Sequence, residues 1–142
     1  IARNPYTVFQ STKHLYQTMF RTTSLQEIGD IDLDELVLRR YEIIYRQFFA
    51  ERSLIPQGHY CELHFETLEA DPIRALKHIY DELGLGGFEK ARPHFTCHLT
   101  TINGYQKNHF RFLTDTMQDE ITRRWHASFD EWGYERKVNH AC

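Results

Sequence analysis

The chain has 142 residues, with 41% hydrophobic and 26% charged side chains, the balance of a soluble globular domain or part of one, which argues against disorder. A net charge of −3, a pI near 6.3 and no run of Lys or Arg longer than two make nucleic acid and anionic membrane surfaces poor partners. Cys61, Cys97 and Cys142 are widely spaced and odd in number, so they form no disulfide framework; a reducing, cytoplasmic compartment is the default, with a lumenal one left open.

Taken in chain order, Ile1-Ala2 reads as the tail of a strand, and an opening without Met predicts that a preceding part lies outside the sequence. Asn4 is a good N-cap and Pro5 suits the first helical position, so a helix is expected from there to about Phe20. Thr22 to Asp30 reads as a polar connector. The next helix is expected from about Asp32 to Glu51, because Leu33, Val37, Tyr41, Ile44 and Phe48 recur at helical spacing, as do Leu38, Tyr45 and Phe49. Pro56-Gln57-Gly58 is a turn, and His59 to Phe65 reads as a strand.

Asp71-Pro72 repeats the cap-plus-proline signal, and Gly84 stands where a helix-ending glycine belongs. The stretch Gly86 to Gly104 is expected to be irregular because Pro93 lies inside it. A last helix is expected from about Thr114 to Trp132, with Met117, Ile121, Trp125, Phe129 and Trp132 as its apolar ladder and Gly133 as its stop. Helices between strand-like segments predict an α/β layered architecture with a parallel sheet. Two strands are too few for a free-standing sheet, which again points to a missing part.

The segment Arg3-Asn4-Pro5-Tyr6-Thr7-Val8-Phe9-Gln10-Ser11 carries the chemistry. Ligands of α/β sheets bind at the carboxyl ends of strands, where Arg3 is expected. A guanidinium there can grip a phosphate through two parallel hydrogen bonds. Thr7, Ser11, His14 and Thr18 share one stripe of the helix, beside an apolar stripe of Val8, Leu15 and Met19. Ser11 lies ~10 Å along the axis from Asn4, so a phosphate reaching both Arg3 and Ser11 must lie along the helix side. A polar stripe that merely faces solvent is the plain alternative.

Arg-Asn-Pro, followed by Val and then by a Ser eight residues after the Arg, resembles the 3′-phosphate-binding segment of sulfotransferases that use 3′-phosphoadenosine 5′-phosphosulfate (PAPS). Two further regions share the resemblance in the same order. Leu63-His64-Phe65-Glu66-Thr67-Leu68-Glu69-Ala70-Asp71-Pro72, with Leu83-Gly84-Leu85, is similar to the family's strand and Asp-Pro helix. Gly104-Tyr105-Gln106-Lys107-Asn108, a final helix and Trp132-Gly133-Tyr134 are similar to its C-terminal pattern.

The resemblance implies that residues 1–142 form the C-terminal portion of a single three-layer αβα, P-loop-like domain. The N-terminal half, with the loop that cradles the phosphosulfate, is then absent from this sequence. It implies in-line transfer of a sulfuryl group from PAPS to a hydroxyl or amine acceptor. It assigns Arg3 and Ser11 to the 3′-phosphate, Lys107 to a basic loop over the nucleotide phosphates and Phe65 to a stacking position against adenine. Phe65 stands where the family often has Tyr, and a core aromatic at a strand end is its plainer role.

The catalytic base tends to lie upstream in that family, so none is assigned here; His14 shares the Ser11 face and is the weak local choice. The 142 residues alone are expected to be inactive. Three other readings compete. His94 and His98, four apart with Cys97 between them, would share a helix face as two zinc ligands do, but no third ligand accompanies them, and Pro93 disturbs the helix they need. A non-catalytic α/β remnant would bind partners through the apolar surface that a truncated sheet leaves uncovered. A phosphotransferase of related fold is disfavoured by the Arg3–Ser11 spacing.

Overall fold

The computed structural model describes residues 1–25, 29–102, 104, 108, 110 and 112–137. The chain divides into two compact units, one of Ile1–Arg3 with Arg52–His109, the other of Asn4–Glu51 with Phe110–Cys142.

The second unit is helical. Helix α1 spans Pro5–Thr23, and the Asn4 side chain caps it by accepting from the Tyr6 and Thr7 amides at 3.0 and 3.4 Å. Helix α2 spans Leu33–Glu51, with Asp32 Oδ1 accepting from the amides of Asp34 and Glu35 at 3.0 and 3.1 Å. Both starts follow from side chains that satisfy amides the helix cannot pair itself. The face that α1 buries is Pro5, Tyr6 and Phe9, whereas Leu15 and Met19 of the anticipated apolar stripe are exposed.

The final helix expected from Thr114 to Trp132 is two helices, α6 (Asp115–Arg124) and α7 (His126–Trp132). The break falls at Trp125, whose φ of −103° and ψ of 19° leave the helical range. Its packing explains the departure. The indole stacks on Tyr41 with centroids 3.7 Å apart, and Nε1 donates to the Leu38 carbonyl at 3.2 Å. Around it, Tyr6, Phe9, Val37, Leu38, Tyr41, Ile121 and Phe129 form one buried cluster. Gly133 ends α7 at φ 65°, and the Tyr134 amide returns to the Phe129 carbonyl at 3.1 Å.

In the first unit, α3 spans Phe65–Ala70, α4 Pro72–Glu82 and α5 Phe88–Thr101. Asp71 caps α4 by accepting from the Arg74 amide at 3.1 Å. Gly84, at φ 62°, closes α4 with Leu85 N donating to the Tyr80 carbonyl at 2.8 Å. The irregular stretch expected around Pro93 is instead helix α5, with Pro93 inside it. Proline removes one ladder bond and costs ~3 kcal/mol or more in a helix interior. Phe88 and Phe95 offset this by packing edge-on against Tyr80 of α4, at 5.2 and 6.1 Å.

The parallel sheet does not show within the described chain. Among the described residues no strand forms, and pairing is reduced to one parallel bridge between Ala2 and His64. The bridge joins segment 59–64 to Ala2 at its end, and Phe65 already begins α3. A strand needs a neighbouring backbone along its length, and among the described residues no named strand forms beside either segment. The described residues are therefore helix-rich, and among them the layered αβα sheet is not shown.

Candidate nucleotide site and family

The bridge fixes where Arg3 stands. Ala2 donates its amide to the Leu63 carbonyl and accepts from the Phe65 amide, both at 2.8 Å. Arg3 follows directly, half-buried, with its guanidinium carbon 4.1 Å from the centre of the Phe65 ring. A guanidinium over an aromatic face is attracted by the ring's quadrupole and held in one orientation. Among the described residues no carboxylate pairs with Arg3, so its N–H edges remain available to an oxyanion. The structure thus brings together two residues singled out in the sequence, Arg3 and Phe65. Phe65 is the first residue of α3 rather than the end of a strand.

Ser11 is half-buried on α1, in the other unit, two turns beyond the Asn4 cap. Of its stripe-mates, His14 is exposed with its ring 5.8 Å from Phe110, and Thr18 turns its hydroxyl back to the His14 carbonyl at 3.0 Å. Lys107 lies outside the described residues. His94, Cys97 and His98 are all exposed on α5, and no group of three or more metal-ligating side chains is assembled among the described residues.

Two features escaped the sequence reading. The first is a cavity of about 270 Å³ beside the first turns of α1, lined by Asn4, Thr7, Gln10, Phe112, Gln118 and Lys137 among others. A directional chain of hydrogen bonds borders it. Thr122 donates its only hydroxyl hydrogen to the Gln118 carbonyl at 2.7 Å. Tyr6 must then donate to Thr122 Oγ1, at 2.6 Å, which leaves the phenol oxygen to accept from the Lys137 amide at 3.1 Å. The only sequence signal for this was a tyrosine in the first turn of α1 and a basic pair, Arg136-Lys137, after the Gly133 stop.

The second is an open groove of about 510 Å³ walled by Tyr41, Tyr45, Phe49, Trp125 and Ser128. Burial pushes the Tyr41 phenol well above its usual range, against a lowering from the Ser128 side chain. Tyr41 therefore stays protonated at neutral pH and is not a base. At the groove edge Arg124 grips Glu42 with two bonds of 2.8 and 2.6 Å and Glu35 with two of 2.5 and 3.2 Å.

Residues 1–90 match the model of the sulfotransferase family. The chain belongs to that family. Over 142 aligned residues it is 32% identical to an omega-hydroxy-beta-dihydromenaquinone-9 sulfotransferase of Mycobacterium bovis, and equally to one of the same name from Mycobacterium tuberculosis. Those alignments cover 96% of this chain and 35% of each relative, so the chain spans about a third of their length. No solved structure matches it. None of its described helices is long and apolar enough to cross a membrane.

Proposed function

We propose that the protein carrying this chain transfers a sulfuryl group from PAPS to a hydroxyl-bearing acceptor, and that Arg3 and Ser11 each contact the nucleotide's 3′-phosphate. The carrying observation is Arg3 itself: it leaves a parallel bridge, is backed by the Phe65 ring and, among the described residues, has no carboxylate partner. Such a guanidinium suits a phosphate better than a surface lysine, because its planar fork gives two parallel charge-assisted bonds. Phe65 backs that fork and is assigned to the adenine by the resemblance. Lys107 is assigned to the phosphates by the resemblance alone.

The layered P-loop-like sheet belongs to this reading too. The single bridge at Ala2 and His64 suits the edge of a parallel sheet completed by further strands. The mycobacterial relatives' name specifies an omega-hydroxy acceptor, which favours a hydroxyl over an amine here. The chemistry is in-line displacement at sulfur. A base takes the acceptor proton while cationic groups hold the charge that develops on the leaving phosphate.

In the intact protein, Arg3→Ala is expected to weaken binding of adenosine 3′,5′-bisphosphate by ~1.5–3 kcal/mol, the cost of losing charge-assisted hydrogen bonds. Titration calorimetry reads this directly, and an unchanged affinity removes Arg3 from the site. Ser11→Ala is expected to cost less, ~0.5–1.5 kcal/mol, since a neutral hydroxyl is lost.

A further inference from the structure

We propose that the cavity beside α1 is an oxyanion subsite whose cation is Lys137, placed there by Tyr6. Three observations carry this. Five of the residues lining the cavity, Asn4, Thr7, Gln10, Gln118 and Lys137, carry amide, hydroxyl or ammonium groups, beside Tyr6, Leu113 and two phenylalanines, and no carboxylate lines it. Lys137 is exposed and has no ion-pair partner among the described residues, while its neighbour Arg136 is neutralised by Asp130. The backbone of Lys137 is fastened: its amide is held by the Tyr6 hydroxyl, whose own hydrogen is committed to Thr122. A lysine on a loose tail loses much of its attraction to the entropy of its many positions, and fastening its backbone removes part of that loss.

The size of the cavity decides what it takes. At about 270 Å³ it lies at or below the range of whole-ligand pockets, roughly 300–1,000 Å³, so it accepts one charged group of a larger molecule. A compact ammonium with neutral donors around it suits a phosphate- or sulfate-type oxyanion. A nucleotide phosphate and an acidic group on the acceptor present this same chemistry. The proposal rests on the donor reading only for the first of these sources.

Two measurements on the intact protein test it. The first is lysine-selective labelling of Lys137, read by peptide mass spectrometry with and without millimolar inorganic pyrophosphate. Protection in the wild type is expected, with weaker protection in Tyr6→Phe, which keeps the ammonium and loses the fastening. Absence of protection in the wild type overturns the subsite, and protection undiminished in Tyr6→Phe overturns the role given to Tyr6.

The second is calorimetric affinity for adenosine 3′,5′-bisphosphate. Lys137→Ala is expected to bind roughly threefold to tenfold more weakly, and Lys137→Arg close to the wild type. Protection with unaltered nucleotide affinity keeps the subsite and assigns it to the acceptor's acidic group. Failure of the wild type to bind the bisphosphate at all sinks the donor reading, while the labelling result still decides the subsite.

Discussion

Arg124 is the side chain whose removal reaches furthest within its unit. It sits at the end of α6, 13% exposed, and joins two turns of α2 through Glu35 and Glu42. Its hydrogen bonds hold the Glu42 carboxyl below the usual range, against the raising effect of burial. A carboxyl depressed by folding contributes stability above its unfolded pKa, near 4.3, and loses it as pH falls through the lower folded value. Arg124→Leu is therefore expected to lower stability by about 1–2 kcal/mol at neutral pH, a figure kept small because Glu35 is 53% exposed. The gap in Tm between wild type and variant should close as pH drops below about 4. Thermal unfolding at pH 7 and pH 3 checks it; a gap independent of pH would mean Arg124 acts by packing alone. None of this could be read from the sequence. Arg124 is 89 and 82 residues from its two partners, and a basic residue in a last helical turn has an ordinary local use.

At the scale of elements, the chain announced its helices where a single residue performs a local task. Asn4-Pro5 and Asp71-Pro72 place a capping oxygen and a fixed φ at helix starts, and Gly84 and Gly133 accept a left-handed backbone at their ends. It concealed whatever depends on distant partners. Segment 59–64 has strand composition, yet among the described residues it forms no strand and its bridge to Ala2 lies at His64. Pro93 reads as a breaker, yet α5 runs through it because Phe88 and Phe95 are held against Tyr80. The site divided the same way. Arg3 and Phe65 were visible as types in a pattern, whereas the Tyr6–Lys137 fastening, between residues 131 apart, was not. Because Pro93 is exposed and opposes its own helix, Pro93→Ala should stabilise the first unit by about 1–3 kcal/mol through a restored ladder bond and better helix propensity. Chemical denaturation would show it as a higher midpoint with an unchanged slope; a lower midpoint would show that the proline ring contributes packing.

For the molecule as a whole, one of the unit boundaries falls at the peptide joining Arg3 to Asn4, inside the segment that resembles the family's 3′-phosphate-binding stretch. Each unit keeps a core of its own kind. One holds the ring cluster of Tyr80, Phe88 and Phe95; the other is built on Trp125, Phe9 and Phe129. Trp125→Ala should cost ~3–5 kcal/mol, the usual penalty for emptying a large aromatic from a core. That loss should fall on the unit that holds α1, α2, α6 and α7.

The break at Trp125 also decides what an optical experiment can see. Both tryptophans of the chain, Trp125 and Trp132, lie in that same unit, and both are buried. Indole emission is therefore a one-sided reporter: it shifts to the red when the α1/α2/α6/α7 unit opens and stays silent while α3, α4 and α5 unravel. Circular dichroism in the peptide region registers both. Superimposed heating curves from the two signals would mean that the halves melt as one, and separated curves would time the loss of each.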